Sequence, residues 1–157
     1  MTERLRRLEY IFERHPVYFV TTGTAERRPI LACDEIHATL RAFGEAGTDH
    51  GAFIGSYVLM PDHLHLFVAL DETQLGLAAW MKSLKNALSK TLRSFGTPSP
   101  HWQKGFFDHV LRSGESYTQK WDYVRANPVR AGLVTNAADW PYIGSIHDLE
   151  YRRDLLL

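Results

Sequence analysis

A single cysteine, Cys33, stands among 157 residues. No disulfide can form within the chain, and burial and hydrogen bonding must hold the fold. Long apolar runs are missing as well: nothing reaches the roughly 20 residues that span a bilayer. The opening MTERLRRLEYIFERHP is interrupted by Glu3, Glu9 and Glu13, so it lacks the continuous apolar stretch of a secretion signal. A cytoplasmic protein with no membrane partner is expected. Net charge is the third absence. Basic and acidic residues number 18 each, which excludes a protein that holds a polyanion by overall charge alone. Hydrophobic residues, at 45%, are enough for a packed core, and the length suits one domain over residues 1–157. Residues 1–16 are expected to form an N-terminal extension and residues 135–157 a C-terminal tail.

The balanced charge is unevenly spread. From Thr73 through Phe107 no acidic residue occurs, while Lys82, Lys85, Lys90, Arg93 and Lys104 do. The segment is either a locally basic face or a solvated helix surface.

Hydrophobic periodicity orders the chain. Val17–Thr24 has the β-branched and aromatic content of a strand. Asp34–Gly47 places Ile36, Leu40 and Phe43 at helical spacing. Ala52–Met60 and His63–Leu70 alternate as strands across a Pro61–Asp62 turn too short for a parallel crossover, so they pair as a hairpin. Leu75–Phe95 is the longest helix, with Leu77, Trp80, Leu84, Leu88 and Leu92 as its buried stripe. Phe106–Leu111 reads as a fourth strand and Glu115–Arg125 as a helix ended by Asn127–Pro128. The tail from Trp140 is expected to turn and form a short helix. The order β-α-β-β-α-β then helix predicts an α+β fold: a ferredoxin-like split βαβ sandwich with a four-stranded antiparallel sheet and an additional C-terminal helix.

Two local features carry chemistry. In Met60–Phe67 (MPDHLHLF) the strand period puts His63 and His65 on one face and Leu64 and Leu66 on the other. The leucines then belong to the helix-covered core. The imidazoles can hold one divalent ion, or simply be polar residues on an open face. Asp62, at the turn, is a helper at most. In Ser116–Pro128 two tyrosines compete as nucleophile. At about 100° per residue, Tyr117 clusters with Trp121 and Val124 as a buried stripe, whereas Tyr123 lies on another face with Asn127 one turn on. Tyr117 is thus structural, and Tyr123 is either available for chemistry or an ordinary packing residue.

Taken together, these segments resemble the Y1 transposases of the HUH nuclease superfamily, nearest the IS200-like and REP-associated tyrosine transposases. The likeness runs from Val17–Thr24 through MPDHLHL, Trp102–His109 (WQKGFFDH) and Tyr123–Val134 (YVRANPVRAGLV) to Asp139–Tyr142 (DWPY). The resemblance implies that His63 and His65 are metal ligands, that Tyr123 is the catalytic nucleophile on the C-terminal helix, and that Asn127 completes or supports the metal site. Many relatives have glutamine at this last position. It also implies Mg²⁺ or Mn²⁺ as cofactor and single-stranded or hairpin DNA as partner. The expected activity is cleavage and rejoining through a 5′-phosphotyrosine intermediate. Relatives occur as homodimers and as monomers. Lys82, Lys85, Lys90, Arg93, Lys104, Arg125 and Arg130 are the candidate DNA-binding cations. Trp102 could stack a base or pack in the core, and Arg4, Arg6 and Arg7 could read a groove or remain solvated. His109 matches a recurrent histidine of undefined role. The alternative is a non-catalytic nucleic-acid-binding protein on the same fold.

Overall fold

The computed structural model describes residues 15–111 and 117–149. Strand β1 (Val17–Gly23) leads to helix α1 (Asp34–Ala46), then to the hairpin β2 (Ala52–Leu59) and β3 (His63–Leu70). Helix α2 (Leu77–Ser94), strand β4 (Phe107–Val110), helices α3 (Tyr117–Val124) and α4 (Asn127–Arg130) and strand β5 (Ile143–Ser145) follow. The strands form one sheet in the order β4-β1-β3-β2-β5, every pairing antiparallel.

The α+β class and the order of the first elements agree with the sequence reading. The strand number does not: the sheet has five strands rather than four. Ile143–Ser145, expected in a turn and short helix, pairs with Ser56–Val58 of β2 and extends that edge. The remainder of the expected tail helix and the Arg4, Arg6 and Arg7 cluster lie outside the described residues. Among the described residues, no helix is long and apolar enough to cross a membrane.

Alternation along β3 divides the molecule into two cores. Leu64, Leu66, Val68 and Leu70 face α1 and α2, where Ile36, Leu40, Trp80, Leu84 and Leu88 cover them. Phe67 and Ala69 face the other way and join Val17, Phe19, Tyr117 and Val124. Each fully buried aliphatic side chain contributes about 1.5–3 kcal/mol, so the doubly covered strand is the structural spine. Between Ile54 and Tyr57 the β2–β3 register slips. The bulge reverses the parity of β2 and lets Tyr57 and Leu59 continue the face begun by Ala52 and Ile54.

The bulge also seats α3. Tyr117 is fully buried, with its ring 4.0 Å from that of Phe67, and its hydroxyl accepts a 2.7 Å hydrogen bond from the Ser56 backbone N–H. A Cβ at Gly55 would come within 2.5 Å of that hydroxyl, so glycine makes the docking possible. Helix α3 therefore crosses the face opposite α1 and α2, near the histidine end of the sheet.

Candidate active site

His63 and His65 project from β3 on the face that α1 and α2 do not cover, with ring centroids 4.7 Å apart and planes at 81°. Each imidazole is oriented by a hydrogen bond at Nδ1. His63 Nδ1 lies 2.7 Å from Asp62 Oδ1, and His65 Nδ1 lies 2.7 Å from Thr21 Oγ1 on β1. In each ring this leaves Nε2 as the nitrogen not used in these hydrogen bonds. A ligand histidine held through its other nitrogen by a carboxylate or hydroxyl is the usual support around a metal. Asp62 is itself fixed, because Arg27 Nε donates to its other oxygen at 3.0 Å. Glu26 and Arg27 adopt left-handed backbone angles, φ 56° and 55°, a strained conformation that brings Arg27 to Asp62. Hydrogen bonds from the partners, His63 first and then Arg27, hold the Asp62 carboxyl below the usual range against the opposing effect of burial.

Burial, with the charges of His63, Arg130 and Lys120, lowers the His65 pKa to about 4. The ring is neutral at pH 7, as a metal ligand must be. The pair lines a cavity of about 530 Å³ together with Thr21, Gly23, Arg27, Asp62, Lys104 and Phe107. A larger concavity, about 850 Å³, lies elsewhere, between α3 and β5, and includes Trp121 and Arg125. The histidine cavity is the smaller of the two.

Tyr123 is 67% exposed, in contrast to the buried Tyr117, so the helical reading of the two tyrosines agrees with the fold. The Arg130 guanidinium stacks 4.0 Å from the centroid of the Tyr123 ring. It donates to the Tyr123 carbonyl at 2.7 Å and also to Asn127 Oδ1. Asn127 opens α4, after a break in the helix that contains Tyr123. Arg130 thus joins Tyr123 to Asn127, and its charge also reaches His65. Among the described residues, no group of three or more His, Cys, Asp and Glu side chains gathers to hold a metal.

The remaining cations separate. Lys104 lines the histidine cavity. Arg125 pairs with Asp122 at 3.0 Å and lines the larger concavity. Lys82, Lys90 and Arg93 are exposed on α2, in the helix layer, and are not brought to the histidine face. Lys85 is half-buried, and its ammonium donates to the Gly105 carbonyl at 2.7 Å and the Gln103 carbonyl at 3.3 Å. It fixes the loop that forms one cavity wall. Trp102 donates from Nε1 to Ser89 Oγ and packs against the main core, so it belongs to the scaffold. His109 pairs with Phe19 across β1 and β4, which puts it on the histidine face.

Three residues that surround the histidine pair, Thr21, Arg27 and Lys120, escaped the sequence reading. The first two come from strands and loops distant in sequence. Lys120 was detectable, because it precedes Tyr123 by three residues on the same helix.

The family described as "Transposase IS200 like" matches residues 15–126. The chain belongs to that family. A REP-associated tyrosine transposase of Escherichia coli is 25% identical, over 80% of this chain and 73% of its own. A Haemophilus influenzae protein described as a candidate REP-associated tyrosine transposase is 26% identical, over 88% of this chain and 85% of its own. Among solved structures, a REP-associated tyrosine transposase bound to a REP hairpin superposes with a TM-score of 0.66 at 25% identity, covering 82% of this chain and 75% of that one. The chain is accordingly an IS200-like transposase, an enzyme.

Proposed function

We propose that this transposase cleaves and rejoins single-stranded DNA next to a hairpin, in the cytoplasm, through a phosphotyrosine link at Tyr123. The observation that carries the reading is the contrast between the tyrosines. Tyr117 is locked in the core, while Tyr123 is exposed, and the sheet face on the side of their helix carries two imidazoles pre-oriented by hydrogen bonds. The related transposase bound to a REP hairpin supports hairpin DNA as the substrate class.

His63 and His65 would hold Mg²⁺ or Mn²⁺ through Nε2, with Asn127 Oδ1 as the further donor once Arg130 releases it. The donor set fits such an ion, because few protein ligands leave positions for water and phosphate oxygens. When bound, the cation supplies Lewis-acid charge to the non-bridging phosphate oxygens. Tyr123 Oη attacks phosphorus as the bond from phosphorus to the 3′ oxygen breaks. The phenol proton passes to water and the departing 3′ oxygen takes one up, leaving a 5′-phosphotyrosine and a free 3′-hydroxyl. Attack by another 3′-hydroxyl reverses the sequence and joins the ends. Asp62 and Thr21 keep the imidazoles aimed throughout. Lys104 and Arg130 stand where they can contact the backbone of the bound strand.

The test is incubation with Mn²⁺ and labelled single-stranded hairpin oligonucleotides drawn from the DNA that flanks the gene. A covalent adduct should survive a denaturing gel, vanish with Tyr123→Phe and with chelator, and persist with Tyr117→Phe. An adduct that persists in Tyr123→Phe would remove Tyr123 from the reaction.

A further inference from the structure

We propose that Lys120 is a further catalytic residue, which grips the scissile phosphate beside Tyr123; the assignment rests on the DNA-cleaving reading above. On α3 the two side chains lie three residues apart, about 60° around the helix axis. Tyr117 and Val124 are buried toward the sheet, which leaves Lys120 between the buried stripe and Tyr123.

The surroundings of Lys120 define its target. It is half-buried, and Nζ stands 4.9 Å from the centroid of the Phe19 ring. That ring lies nearly parallel to the His65 imidazole, 5.6 Å between centroids at 12°. The ammonium is therefore delivered to the margin where α3 meets the histidine face, and its charge bears on His65. Several other cations are already engaged. Arg27 pairs with Asp62 and Arg125 with Asp122, and Lys85 is bound to two carbonyls. Lys120 makes no ion pair with a described residue; its neighbour is an aromatic face, a weak substitute for an anion. A partly desolvated cation without a counter-ion among the described residues, on the same helix as Tyr123 and beside the ring that stacks on His65, suits a phosphodiester. Its ammonium donates to a non-bridging oxygen, whose charge grows as the Tyr123 Oη–phosphorus bond forms and the 3′ oxygen leaves. Lys120 stays protonated throughout.

The experiment compares Lys120→Met and Lys120→Arg in the full chain, with the same labelled hairpin oligonucleotides and Mn²⁺. Single-turnover adduct formation should slow about a hundredfold in Lys120→Met, and Lys120→Arg should recover most of the rate. In a Tyr123→Phe background, Lys120→Met should reduce the slope of log affinity against log salt by about 0.7, the value for one lost phosphate contact on a single strand. Mn²⁺ affinity measured without DNA should not change. A wild-type rate or a wild-type salt slope in Lys120→Met overturns the assignment. So does a parallel loss of Mn²⁺ affinity, which would make the lysine a support for the histidines. If the unsubstituted protein forms no adduct, the cleavage reading fails by itself, and the salt slope still decides whether Lys120 meets a phosphate. If that protein binds no oligonucleotide, both fall.

Discussion

The two faces of strand β3 use neighbouring residues for opposite purposes. On one side Leu64, Leu66, Val68 and Leu70 are sealed beneath α1 and α2. On the other, Phe67 is sealed beneath Tyr117 while His63 and His65 line an open cavity. A strand pinned by apolar contacts behind it can hold two imidazoles still in front of it. Pre-organisation of this kind is what a metal-assisted phosphoryl transfer needs. The same division runs along α3, where Tyr117 docks the helix and Tyr123 faces solvent. Substitutions on the covered side should therefore damage stability, and those on the open side chemistry.

The sharpest break in that comparison is Tyr123→Phe. It should reduce the covalent adduct below detection on a denaturing gel, while thermal unfolding shifts by less than about 0.5 kcal/mol, as for an exposed substitution. Next is the pair His63→Ala with His65→Ala. Mn²⁺ should no longer raise the melting temperature, since the bound state has lost its advantage. Adduct formation should fall at least about a thousandfold with the metal's charge stabilisation removed. On the covered side, Leu84→Ala should cost about 2–5 kcal/mol in denaturant unfolding, with the adduct rate per folded molecule unchanged. Tyr117→Phe should be milder, about 1–3 kcal/mol, because it leaves the buried Ser56 N–H unpaired; its adduct should remain.

The smallest effect concerns acid. Burial first, then the charge of Arg41, lowers the His37 pKa below its ordinary value near 6.5, and its Nε2 lies 2.7 Å from the Tyr57 hydroxyl. Tyr57 also accepts from Arg41 at 2.8 Å. The fold thus favours the neutral ring, and below pH 6.5 the unfolded chain binds more protons. The contribution is fully present above that pH and is lost as pH falls through the lowered folded value. His37→Gln should flatten part of the decline in melting temperature between pH 7 and pH 5.

Much of this division was legible in the sequence. The alternation in MPDHLHLF assigned leucines and histidines to opposite faces, and helical angles separated Tyr117 from Tyr123. Both follow from local periodicity, which tertiary packing here reinforces. What stayed hidden depends on long-range pairing. Ile143–Ser145 is too short for a strand pattern and is defined by pairing with β2. The Gly55–Ser56 bulge is felt only when a tyrosine 61 residues away docks on it. Thr21 reaches His65 by strand register. Lys85, read as a phosphate contact from charge, is half-buried with its ammonium on loop carbonyls, which no count of basic residues reveals.

The decisive question is whether Tyr123 and the histidine pair serve one metal. Fluorine NMR of protein carrying 3-fluorotyrosine addresses it directly, since Mn²⁺ broadens the resonances of nuclei close to it. Each of the 7 tyrosines gives a resonance, and Tyr123→Phe identifies the one of interest. Mn²⁺ should broaden the Tyr123 resonance beyond detection in the unsubstituted protein and leave it sharp when His63 and His65 are both alanine. A Tyr123 resonance that stays sharp while Mn²⁺ saturates the histidine site would contradict the account.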